Sequence, residues 1–152
     1  MDKQKILKKI RLFKGLTGNE ITAVARLCRE RKYRADEVIL VEGSRGEEIY
    51  ILKKGKIRID FEVTGESDQV TVHRITEGQI FGELALVDKG LRSATAQCES
   101  DCEVITISRE QLYDFFETHH RVGYLVMKNI AKEMSKKLRR AKLQLIASIT
   151  WK

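Results

Sequence analysis

The sequence predicts a mainly β domain with helical ends, its strands forming an antiparallel sandwich or barrel. Three observations carry that prediction. Between residues 37 and 108, short apolar or alternating runs recur between glycine-bearing turns, as in all-β sandwiches and barrels. On either side of that region, apolar residues recur at helical steps instead. At 152 residues and 42% hydrophobic content the chain can bury one proper core, so a single domain is expected over 1–152. Its parts are helices in 1–35, a barrel over 36–108 and helices over 109–150.

In chain order, Ile6, Leu7, Ile10 and Phe13 fall at helical spacing over residues 2–14, and Gly15 stops the pattern. A second helix is predicted from Thr17 to Glu30, with Ile21, Val24, Ala25 and Leu27 inward and Thr17 and Glu20 spaced as a capping box. From Glu37 the period falls to two. Val38–Val41 and Ile49–Leu52 are short apolar runs, separated by the turn EGSRG and followed by the turn Lys54-Gly55. KIRIDFEV places Ile57, Ile59, Phe61 and Val63 on one face and Lys56, Arg58, Asp60 and Glu62 on the other, a half-buried strand. TGESD reads as a loop, QVTVHRI as a strand and TEGQ as a turn. SATAQC follows as a strand with Ala94, Ala96 and Cys98 inward, and CEVITIS is the last strand.

Ser108 is placed to cap a helix over Arg109–Glu117, and a long helix runs from about Val122 into the 140s. Along it Met127, Ala131, Met134, Leu138, Ala141 and Leu145 repeat at steps of four and three, the seam of a helix facing another helix. A homodimer through that seam is therefore expected. Val122, Leu125, Val126 and Ile130 form an adjoining apolar face that can pack back on the barrel.

Charge is divided unevenly along the chain. Residues 1–14 hold six Lys/Arg against one acid, residues 15–120 hold 14 against 20, and residues 121–152 hold nine against one. An acidic middle between basic ends fits a nucleic-acid protein or one with a solvated helix. The N-terminus MDKQKILKKI lacks the apolar stretch of a signal peptide and no segment is apolar enough to span a bilayer, so a cytoplasmic protein without membrane insertion is expected. Cys28, Cys98 and Cys102 form no C-x-x-C pair and sit in apolar segments, as structural thiols do. His73 lies in a strand, and His119-His120 reads as a solvated helix end. With no His-x-His and no nucleophile paired to a base, no metal, cofactor or catalysis is expected.

The stretch FGELALVDKGLRSATA breaks the sheet pattern. A single helical turn in it leaves backbone N–H groups near Gly82 and Glu83 able to meet an anion, and Gly82 lets a ligand approach the backbone. Arg92 follows a DKG loop and precedes two small residues, suiting a guanidinium that forks onto a phosphate while Ser93 and the N–H of Ala94 add donors. A carboxylate beside a phosphate repels it, so Glu83 implies a ligand that also offers hydroxyl donors. Phosphate and hydroxyl on one small molecule describe a nucleotide or a sugar phosphate.

With these residues, segment 79–96 resembles the phosphate-binding cassette of the cyclic nucleotide-binding domain family, and the similarity runs from Leu7 to Leu145. Glu42-Gly43, Gly46, Tyr50, Gly55 and Gly78 match the family's turn pattern. Arg92-Ser93-Ala94, Cys102-Glu103-Val104 and Ile107-Ser108 are most similar to the sensor domains of its catabolite-activator branch. The resemblance implies an eight-stranded antiparallel jelly-roll barrel that holds cyclic AMP, and a ligand-controlled conformational switch. It implies Arg92 and Ser93 on the cyclic phosphate, Glu83 on the ribose 2′-hydroxyl, and backbone groups of Gly82 and Ala94 assisting, with Leu84 beside them. A lid over the purine would fall at Lys137 and Leu138; neither supplies a hydroxyl, which leaves cyclic GMP as the second choice. Leu91 stands where many members have proline. Ending at Trp151-Lys152, the chain is expected to be a stand-alone sensor or part of a longer regulator or channel, and Met1 favours an intact start.

The competing reading is a nucleic-acid-binding or transcription-regulator fragment whose barrel no longer takes a cyclic nucleotide. It rests on Lys128, Lys132, Lys136, Lys137, Arg139, Arg140 and Lys142. Their spread around the long helix suits a solvated surface better than a phosphate track, and no recognition motif accompanies them.

Overall fold

A computed structural model describes residues 2–62 and 69–150. Val63 and the TGESD loop lie outside the described residues, as do Met1, Trp151 and Lys152. Eight strands form the barrel: β1 (Arg29–Tyr33), β2 (Val38–Leu40), β3 (Glu48–Lys54), β4 (Ile57–Glu62), β5 (Gln69–Ile75), β6 (Ile80–Phe81), β7 (Thr95–Cys98) and β8 (Cys102–Ser108). They make two four-stranded antiparallel sheets, ordered β1-β8-β3-β6 and β2-β7-β4-β5.

The middle strands β3 and β8 explain why their sequences are apolar at successive positions. On one face, Ile49, Ile51, Ile105 and Ile107 pack against the helices. On the other, Tyr50, Leu52, Cys102 and Val104 join Ile57, Ile75, Phe81, Ala96 and Cys98 inside the barrel. A strand buried on both faces reads as a run rather than an alternation. All three cysteines are free and buried.

Several expectations are corrected by the tertiary context. The first helix is α1 (Lys3–Lys9), broken at an extended Ile10 and followed by a 3-10 turn over Arg11–Phe13. A straight helix to residue 14 would carry Leu12 off the apolar stripe, whereas the break lets Ile10, Leu12 and Phe13 all be buried. The second helix, α2 (Gly18–Ala25), has the expected capping box at Thr17 and Glu20 but stops well short of Glu30. Residues Arg29–Tyr33 instead pair with β8, so the barrel starts before residue 36. Their sequence RERKY is mostly exposed and has no apolar alternation, a charged edge strand that discourages pairing with other chains.

Along β4 the alternation fails after Ile59, opposite a bulge in β5, where the ladder steps from His73 to Thr71 while β4 advances only from Ile59 to Asp60. Asp60 faces inward there, at 2% exposure, and Phe61 is 39% exposed. Asp60 is satisfied there by Arg58 at 2.7 Å and the Thr71 hydroxyl at 2.8 Å. In β7, Thr95 is buried together with Ala96 and Cys98 while Ala94 is half-buried, because the Thr95 hydroxyl accepts the Glu42 N–H at 3.0 Å.

After β8, the Ser108 hydroxyl accepts the Gln111 N–H and starts α3 (Arg109–Thr118), and α4 (His120–Thr150) follows at once. Val122, Val126 and Ile130 of α4 are buried against the N-terminal helices and β-strand core. Asn129 fixes the contact by donating to Leu12 O and Lys14 O, both at 2.9 Å. Arg121 adds a bond to Gly15 O and an ion pair to Glu20. The first half of α4 is thus pinned, which sets the direction of its second half.

Candidate functional site

The cassette opens at Gly82, whose φ of 73° is left-handed and suits glycine. It leads into a 3-10 turn over Glu83–Leu86, with Leu86 anchored in the core. The Tyr113 hydroxyl of α3 donates to Leu86 O, so this turn is tied to the first C-terminal helix.

Arg92 is held by the EGSRG turn predicted between β2 and β3. Its N–H donates to Ser44 O at 2.7 Å, its carbonyl accepts the Gly43 N–H at 2.9 Å, and Leu91 bridges Arg45. The guanidinium, in a residue only 8% exposed, donates to Glu48 O at 2.8 Å and to Gly82 O at 3.2 Å. Burial lowers its pKa from the ordinary guanidinium range, opposed by the nearby Tyr50 and Glu48, and a guanidinium stays charged regardless. Gly46 is required here, since a Cβ would lie 2.3 Å from one Arg92 nitrogen. Tyr50 and Phe81 stack at 5.2 Å beneath the site.

Gly82, Glu83, Leu84, Arg92, Ser93 and Ala94 all line one cavity of about 240 Å³. Positions 82–84 and 92–94 are thereby brought together across the loop that separates them. Leu40, Ile59, Ile75 and Ile80 form its apolar wall, with His73 beside them. These residues escaped notice because inward strand positions look the same whether they face a core or a ligand. A second cavity of about 440 Å³ adjoins the first, and His73, Ile75, Ile80, Glu83 and Lys137 line both. The smaller cavity alone falls just below the range of about 300–1,000 Å³ usual for small-molecule sites.

The two lid candidates part company. Lys137 reaches the cavity and its Nζ lies 2.6 Å from Glu83 Oε1. Leu138 does not line it and is 72% exposed, one helical step around α4 from Lys137. Among the described residues, no group of three or more His, Cys, Asp or Glu is placed to hold a metal ion. No described helix is long and apolar enough to cross a membrane.

The family model for the cyclic nucleotide-binding domain matches residues 30–119, from β1 through α3 and including the whole cassette. This chain belongs to the cyclic nucleotide-binding domain family. The cyclic AMP receptor protein of Thermus thermophilus is 31% identical to it over 134 residues, 88% of this chain and 60% of the relative. The crystal structure of the catabolite activator protein from that organism superposes with a TM-score of 0.79 at 30% identity, covering 89% of this chain and 61% of that one. A cGMP-dependent protein kinase of Drosophila melanogaster is 30% identical over 94 residues, 62% of this chain and 10% of the kinase. The cyclic nucleotide-binding domain described here therefore spans about 60% of the receptor's length and a tenth of the kinase's.

Proposed function

We propose that this cyclic nucleotide-binding domain is a cyclic AMP sensor that passes ligand occupancy to its C-terminal helices. One observation carries the reading: a buried guanidinium, a carboxylate and a one-turn helix surround a single cavity with an apolar wall. Arg92 and Ser93 would hold the cyclic phosphate with the N–H groups of Gly82 and Ala94, and Glu83 would accept the ribose 2′-hydroxyl. Leu84 would cover the sugar, and Ile59, Ile75 and Ile80 would offer the purine an apolar face. Preference for cyclic AMP is supported by likeness to a cyclic AMP receptor over most of this chain, whereas the match to a cGMP-dependent kinase covers less of it.

The route outward is short. The cassette touches α3 through Tyr113 and Leu86, and α4 through Lys137 and Glu83. A ligand that pulls the cassette toward its phosphate would strain both contacts, and shifts the helices only by as much as it binds the two arrangements differently. The second half of α4 bears exposed Leu138, Leu143, Leu145, Ile146 and Ile149, while Met127 and Met134 are half-buried on the core. The proposed homodimer accordingly uses Ala131, Leu138, Ala141 and Leu145 more than Met127 and Met134. Titration calorimetry with cyclic AMP and cyclic GMP in parallel tests the ligand, and hydrogen exchange in α3 and α4 at saturation tests the switch. Absence of binding would overturn the first, and unchanged exchange the second.

A further inference from the structure

Glu83 and Lys137 are 54 positions apart in sequence and share an ion pair at 2.6 Å. The carboxylate belongs to the cassette and the ammonium to α4, and because both line both cavities the pair stands in the partition between them. The Glu83 side chain is 17% exposed and confined, whereas that of Lys137 is 55% exposed on a flexible stem. The mobile partner is therefore the lysine.

We infer that Lys137 is a specificity-determining residue that competes with the sugar hydroxyl of the ligand for Glu83. The inference rests on the assignment of Glu83 as ribose acceptor proposed above. An ammonium is a pure donor and a ribose hydroxyl approaches a carboxylate as a donor, so both seek the same oxygens. A carboxylate already neutralised at 2.6 Å also gives an incoming hydroxyl a weaker charge-assisted bond than a free one would. A nucleotide with a 2′-hydroxyl must displace Lys137 to gain Glu83 fully. One lacking the hydroxyl makes no claim on Glu83 and leaves the pair intact. Lys137 thus reduces the advantage of ribose over deoxyribose, and only a ribose ligand frees it. Its attraction for the ligand's phosphate acts equally on both nucleotides and cancels in the ratio of their affinities.

The test measures dissociation constants of the full chain for cyclic AMP and for 2′-deoxy cyclic AMP in wild type, Lys137→Met and Lys136→Met. Lys136 is the control because it pairs with Glu133 at 3.6 Å and lines neither cavity. Because the Lys137 side chain is half exposed and screened by solvent, the deoxy-to-ribo ratio is expected to rise roughly 2- to 5-fold in Lys137→Met and to stay at the wild-type value in Lys136→Met. Since salt screens such a pair, the wild-type ratio rises toward that of Lys137→Met at high ionic strength. If both nucleotides bind but the Lys137→Met ratio is unchanged or lower, the competition is overturned and the ligand assignment stands. If neither nucleotide binds any of the three proteins, both fall.

Discussion

Gly46→Ala offers a direct route to the placement of Arg92. A Cβ at residue 46 would lie 2.3 Å from Arg92 Nη2 and 2.4 Å from Nε, closer than a carbon approaches any non-bonded nitrogen. Something must move, and the guanidinium is the far end of a flexible side chain. Gly46 is not in the left-handed region, so alanine strains no backbone and the barrel is expected to stay folded. The displaced guanidinium gives up its bonds to Glu48 O at 2.8 Å and Gly82 O at 3.2 Å, and with them its aim at the cavity. Loss of one charge-assisted phosphate contact costs about 1.5–3 kcal/mol, an affinity loss of about 10- to 150-fold. Titration calorimetry with cyclic AMP reads that loss, and thermal denaturation establishes that the variant is folded. A folded Gly46→Ala protein that binds cyclic AMP as tightly as wild type would refute the reasoning.

Arg92→Ala is expected to lose at least as much affinity, and adding Gly46→Ala to it should cost nothing more, because both act on one group; calorimetry on the double variant checks this. Replacing Leu138 and Leu145, both more than 60% exposed, with glutamate should shift sedimentation toward monomer and leave the barrel's melting temperature unchanged, whereas an unaltered oligomeric state would remove the seam from consideration. Leu112→Ala, which empties the one fully buried position of α3, should destabilise the domain by about 2–5 kcal/mol in urea unfolding. Burial pushes the Cys28 thiol up to about 12. Its contribution to stability is complete below the unfolded thiol's pKa of about 8.5 and is lost as pH rises toward 12, because the unfolded chain ionises first. Comparing unfolding midpoints of wild type and Cys28→Ala across that window should show a steeper alkaline decline in wild type.

The cassette was legible because its residue types are chemically odd for a strand: a glycine next to an acid, then an arginine before two small residues. The caps at Thr17 and Ser108 were legible because capping needs only local spacing. Strand β1 was not, since Arg29–Tyr33 owes its conformation to the β8 backbone rather than to any pattern of its own. The inward turn of Asp60 was equally hidden, because the register shift beside it lies in the partner strand β5 and nothing within KIRIDFEV marks it. The role of the EGSRG turn in gripping the Arg92 backbone joins residues far apart in the chain, which local reading cannot pair.

What the sequence by itself determined is therefore what neighbours within a few positions govern: helix starts, most strands, the turns and the unusual residue types of the segment 79–96. Only the tertiary structure decided what those groups face. Asn129, Arg121 and the buried stripe of α4 set that helix's direction, and the direction presents Lys137 to Glu83 while sending Leu138 to solvent. The physical reason is that a helix is a rigid lever: contacts near residue 122 fix its rotation, and one residue further along turns a side chain by about 100°.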